Sequence, residues 1–195
     1  MGLQLDMRQI AYLAMLFVLM VWSLRMALLT QEPMFWWFAV LQAVWMLHNT
    51  FFFGYITLLF QNIYVDWVFL SYRGLVLVVT ALSILFHRSV LARFVPPRAA
   101  LSLFELLLVV VGVALVFYLA GYSMEALILN GYGVAATPVV LLVNAFTART
   151  QASPGLVTMR VIYGLLSAAL LLRHSLKLED EADSIEAAVA AVLAS

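Results

Sequence analysis

The sequence predicts an all-α, polytopic membrane helical bundle of about six transmembrane helices with a C-terminal helical extension. Two compositional facts and one pattern carry this expectation. Hydrophobic residues make up 66% of the chain and charged residues 10%, against roughly 45–50% and 25% in soluble domains, and the mean hydropathy is +1.08. The pattern is a series of six apolar runs, each close to the roughly 20 residues that a helix needs to cross about 30 Å of hydrocarbon. A backbone in hydrocarbon has to satisfy its own hydrogen bonds, so runs of this length are read as helices.

The runs fall at about 9–30, 34–59, 64–87, 99–121, 125–147 and 155–175. The opening "MGLQLDMRQ" holds one acid and one base and no small-residue cleavage site follows the first run, so that run is expected to be an uncleaved span rather than a signal peptide. Short connections, "TQEP", "QNIYV", "HRSVLARFVPPR", "AGYSM" and "TARTQASPG", leave no room for an inserted soluble domain. Prolines in "QEP", "VPP" and "ASPG" sit where helices stop or start, whereas Pro138 falls inside the fifth run near Gly131 and Gly133 and makes it the least regular. Residues 1–175 are thus expected to form the bundle and residues 176–195 a separate amphipathic or coiled-coil helix.

Charge placement gives conflicting orientations. Arg88, Arg93 and Arg98 form the strongest basic cluster, which favours a cytoplasmic third loop and, with six spans, sends Arg173 and Lys177 to the opposite side. A five-crossing alternative, in which 125–147 re-enters, keeps both basic clusters on one side.

Polar side chains inside spans face the bundle interior or a cavity. Counting residues from the loops brings His48, Asn49 and Arg73 to one depth on adjacent antiparallel spans, roughly 20 Å from the first-loop face. Arg73 remains charged wherever it lies. It is expected either to be neutralised by carbonyls, Tyr72, Asn49 or a carboxylate, or to form with His48, Asn49, Tyr72, Asn130 and Tyr132 a polar floor that meets a ligand carboxylate. Trp45, Phe52 and Trp67 would then contact the apolar part of that ligand. Glu105 and Arg160 reach matching depths of roughly 9 Å and are expected to form a charge pair. "MFWWF", Tyr64 and Trp67 lie where aromatic rings anchor to the membrane interface.

Several chemistries find no support. Ten basic and ten acidic residues cancel, without a basic cluster that would track phosphates, so no nucleic-acid partner is expected. The absence of cysteine removes disulfides and thiolate-bound metals. His48, His87 and His174 do not share a depth as a bis-histidine haem requires, and the sole lysine, Lys177, lies beyond the last apolar run. No serine nucleophile elbow, HExxH or phosphate-binding glycine loop occurs. No catalytic residue, cofactor or metal is expected.

After the last run the chain continues as "RHSLKLEDEADSIEAAVAAVLAS", free of proline and glycine. Leu178, Ala182, Ile185, Val189 and Val192 follow steps of four, three, four and three, the spacing of a coiled-coil seam, and a homodimer through this helix is the expectation. With "SLR" closing the first span at Leu24 and Arg25, the aromatic opening Trp36 to Phe38, a span ending at Gly54 and the basic loop from Arg88 to Pro96, the chain resembles the membrane modules of bacterial sensor kinases and diguanylate cyclases, in particular the seven-transmembrane receptors with diverse intracellular signalling modules. The resemblance covers roughly residues 20–100. It departs from that family in having six runs rather than seven, a longer gap from Arg25 to the tryptophans, and no extracellular domain ahead of the first run. What it implies is a sensory role, without carrying over any ligand-binding residue.

The resulting expectation is a non-catalytic signal-input module in the inner membrane of a bacterium. It would bind a small hydrophobic or carboxylate-bearing ligand in the bundle and transmit through its last helix. The alternatives are a substrate-binding component of a small-molecule transporter and a structural subunit of a larger membrane complex.

Overall fold

A computed structural model describes residues 7–56, 65–148 and 155–171. Within them the chain forms six helices: α1 (Met7–Thr30), α2 (Pro33–Phe52), α3 (Val65–Ala92), α4 (Arg98–Leu119), α5 (Ser123–Thr147) and α6 (Gly155–Leu171). Helices α1, α4 and α5, and Asp66–Ala92 of α3, are long and apolar enough to cross a bilayer, and α6 is a shorter apolar helix. The chain is a multi-pass integral membrane protein. Helix α2, 20 residues long, is not among these four and carries Gln42, His48 and Asn49 within its length. The expected C-terminal seam of Leu178, Ala182, Ile185, Val189 and Val192 lies outside the described residues.

Local chemistry sets the breaks. Pro33 opens α2, and Glu32 before it is extended (φ −83°, ψ 128°), as a residue preceding proline prefers. Helix α2 stops at Gly54 and α4 at Gly121, both with positive φ (76° and 93°). At the second of these the Gly121 amide donates to the Tyr118 carbonyl and the Tyr122 amide to Phe117, the paired bonds of a Schellman cap. Helix α2 therefore ends at Phe52; residues 57–59 of the second run lie outside the described residues. Conversely, α3 runs past His87 to Ala92, because its polar end residues find partners in the protein: His87 meets Tyr163 and Arg88 meets Glu105. Residues 123–147 form one continuous helix, which removes the re-entrant alternative for this segment. Pro138 is buried inside α5 and costs it one backbone bond without ending it.

Each helix packs against the next, and α3 and α5 also touch, so α3 has α2, α4 and α5 as neighbours. The largest core cluster joins α3 to α6 through Ile84, Leu91, Phe104, Leu107, Leu141 and Met159. A second, of Leu77, Ala114 and Ala126, lies nearer the α4–α5 turn. Outer faces of α1 and α4 expose Phe17, Val18, Leu28, Val109, Val116 and Leu119. In a bilayer these contact lipid, the inverse of a soluble surface.

Candidate functional site

The side of α3 that faces α2 and α5 presents Tyr72, Val76, Val79, Thr80, Ser83, Ile84 and His87, steps of three and four residues that keep one face of a helix. This stripe covers four turns, roughly 22 Å of α3. Opposite it stand Trp45 and His48 from α2, Asn130, Val134, Thr137 and Leu141 from α5, and Leu170 from α6, and together they line a half-open cavity of about 420 Å³. That volume is in the usual range for small-molecule sites, roughly 300–1,000 Å³.

One wall is an aromatic ladder. His48 stacks between Trp45 (5.4 Å between ring centres, 19° between planes) and Tyr72 (4.8 Å, 29°), and Phe52 continues the stack on Tyr72 (6.0 Å, 26°). The Trp45 indole N–H donates to the Tyr12 hydroxyl at 2.6 Å, tying the ladder to α1. Nδ1 of His48 is buried and has no partner.

Asn130 sits in the opposite wall and is 3% exposed. Its amide orientation follows from its neighbour. The Thr80 hydroxyl gives its only proton to the Val76 carbonyl at 3.0 Å, so Thr80 Oγ1 is left as an acceptor and takes the Asn130 Nδ2–H at 3.2 Å. Asn130 Oδ1 is therefore the atom without a partner, and it is an acceptor. At the far end of the stripe His87 Nδ1 lies 3.1 Å from the Tyr163 hydroxyl, linking α3 to α6. His48, stacked on Tyr72, is thus separated from His87 by the length of the cavity.

Trp45, His48, Tyr72 and Asn130 come together at the cavity; of the three residues that the depth count set level, His48 lines it, and Asn49 and Arg73 do not. Asn49 turns back onto its own helix and donates to the Trp45 carbonyl at 2.7 Å. Arg73, one residue and about 100° round the helix from Tyr72, points away from the cavity and donates from Nη1 to Ser123 Oγ at 3.0 Å. Ser123 opens α5, so the guanidinium reaches the α4–α5 turn at the end of the bundle instead of its centre. A run of 64–87 put Arg73 near mid-span; the helix Val65–Ala92 has its midpoint about three residues further on, between five and six residues beyond Arg73. Tyr132 and Trp67 are exposed on outer faces.

The expected pairing of Glu105 with Arg160 is not formed. Glu105 accepts from Arg88 at 3.0 Å. Arg160 instead spreads its guanidinium over the end of α5, donating to the carbonyls of Ala145 at 3.2 Å and Ala148 at 2.9 Å. Helix α5 packs against both α4 and α6, and its last carbonyls, which have no partner within the helix, are the nearer acceptors. A second ion pair, Arg93 with Glu32 at 2.8 Å, holds the α1–α2 and α3–α4 turns at the same end.

Thr80, Ser83, His87 and Thr137 were not candidates from sequence. The signal was present: Tyr72, Thr80, Ser83 and His87 are polar at helical spacing along one face of an otherwise apolar helix, but the charge of Arg73 dominated the reading of that segment. No protein-family model, curated protein or solved structure matches the chain.

Proposed function

We propose that the chain is the signal-input module of a membrane signalling protein, in which a small neutral amphipathic molecule occupies the cavity along α3 and biases the position of α6. The observation that carries this reading is the cavity of about 420 Å³ itself, which α2, α3, α5 and α6 line with Trp45, His48, Tyr72, Thr80 and Leu170, and beside which Asn130 Oδ1 is buried without a donor. Leaving such an atom unsatisfied costs about 1–3 kcal/mol. The lining contains no Arg, Lys, Asp or Glu, which favours an uncharged occupant over the carboxylate expected from Arg73.

Coupling to the rest of the protein is supported by α6, which meets the site at two levels. Leu170 lines the cavity and Tyr163 bonds His87. A ligand biases two arrangements only through its different affinity for them, and α6 leads directly into the segment with the Leu178, Ala182, Ile185, Val189 and Val192 spacing. Dimerisation through that seam, and residence in a bacterial inner membrane, complete the proposal; no chemical step occurs in this chain. The length of the polar stripe favours a second reading, the substrate-binding component of a transporter.

Because the chain has no cysteine, Ile185→Cys gives a single reporter. Disulfide trapping at that position in bilayers is compared with and without Ser83→Trp, which fills the cavity. The signalling reading expects a severalfold change in trapping. Equal trapping in both proteins, with the neighbouring positions equally reactive, removes it and leaves the transport reading.

A further inference from the structure

We infer that Arg25 of α1 and Arg98 of α4 are seats for anionic phospholipid, each holding a lipid headgroup at the end of the bundle where the α1–α2 and α3–α4 turns lie. The inference is independent of the cavity and of what occupies it.

Charge is uneven between the two ends of the bundle. Among the described residues, Arg25, Arg88, Arg93, Arg98 and Arg160 lie toward the end with those turns, against Glu32 and Glu105, whereas Arg8 and Arg73 lie toward the other end with Asp66 and Glu125. The first end is therefore positive and the second balanced. Three of the five arginines are already committed. Arg88 is paired with Glu105 and Arg93 with Glu32, and Arg160 is spread over the last carbonyls of α5. Arg25 and Arg98 are exposed, and among the described residues neither has a hydrogen bond or an ion pair. The excess charge of this end is concentrated on these two side chains.

Their positions decide the kind of partner. Arg25 is five residues short of the end of α1, roughly 7.5 Å, and the residues one turn from it, Val21, Trp22, Leu28 and Leu29, are all exposed and apolar. It thus stands on the lipid-facing surface of α1. A guanidinium keeps its charge there, so its stem lies along apolar surface while its head reaches the headgroups. Trp22, one turn deeper and packed edge-on against Phe35 at 5.9 Å, is of the type that anchors at this depth. Arg98 opens α4 at the same end, above the exposed Ser102 and Leu106. Glu105, two turns further along α4, is neutralised by Arg88 and does not compete for it. A planar guanidinium matches a phosphate with two parallel hydrogen bonds, and a headgroup of net negative charge adds the Coulomb attraction that a zwitterionic one lacks.

The chain has no cysteine, so single reporters locate the lipid. The full chain carrying bimane on Val21→Cys, below Arg25, on Leu106→Cys, below Arg98, or on Ile128→Cys, one turn from Glu125 at the opposite end, is reconstituted in vesicles. Quenching by brominated phosphatidylglycerol is compared with quenching by brominated phosphatidylcholine. The anionic lipid should be favoured about fivefold at positions 21 and 106, the equivalent of about 1 kcal/mol for one cation near the surface, and less than twofold at 128. Arg25→Gln should remove the preference at 21 and keep it at 106, Arg98→Gln should do the reverse, and Arg160→Met should leave both. The three positions are compared first with every arginine in place, which needs no arginine variant to fold. A preference equal at all three positions, or one that survives Arg25→Gln and Arg98→Gln, overturns the two seats. So does less than a twofold preference throughout, and so does loss of the preference to millimolar inorganic phosphate, which would make the ligand a free anion instead of a lipid.

Discussion

On the side of α3 that meets α4, Gly74 leaves room for the Tyr118 ring, whose hydroxyl donates to the Leu70 carbonyl at 2.7 Å, and Leu77 closes against Ala114 and Ala126. On the side that meets α2 and α5, the same helix presents Tyr72, Thr80, Ser83 and His87 to a cavity, and two polar atoms of the opposing walls lack partners. Lipid tails are as apolar as leucine, so close packing and hydrogen bonds, not exclusion of water, hold helices together in a membrane. Where α3 closes on its neighbours, as at Gly74 and Leu77, the contacts contribute stability, and where it lines the cavity polar groups are left without partners.

Variants on the packed side should cost most. Phe104, fully buried where α3, α4, α5 and α6 meet, should lose about 3–5 kcal/mol on Phe104→Ala, seen as a large fall in the denaturation midpoint of the detergent-solubilised protein. Gly74→Val places a Cβ 3.1 Å from the Tyr118 hydroxyl oxygen and should cost about 1–3 kcal/mol. The loss should shrink in a Tyr118→Ala background; an equal loss in both backgrounds would show that Gly74 serves something other than that contact. Arg160→Met uncaps the end of α5 and should cost about 1–2 kcal/mol, with faster amide exchange confined to the last turn of α5.

On the open side the cost is smaller. Asn130→Leu should change stability by only about 1 kcal/mol, since the hydrogen bond it loses to Thr80 is offset by the removal of a buried acceptor that has no donor. A stability loss as large as that of Phe104→Ala would place Asn130 with the packed core and end the contrast.

The depths of polar residues were legible along the chain, and their directions were not. Residue counts correctly set His48 level with the start of the α3 stripe, because rise per residue is constant. Tyr72 and Arg73 share that level yet face different neighbours, one against His48 and the other toward Ser123. Glu105 and Arg160 likewise came out at similar depths, but α5 offered Arg160 unpaired carbonyls first.

The sequence by itself determined a helical membrane chain and, among the described residues, the order of its six helices and most of their ends. Apolar runs in a solvent without hydrogen-bonding partners can only be helices, and proline and glycine act on the backbone locally. Only the tertiary structure decided what Arg73, Arg160 and Glu105 bond, which way the Asn130 amide points, and that a cavity opens along one face of α3. Each of those depends on the rotation of a helix about its own axis, and that rotation is fixed by the neighbours it packs against.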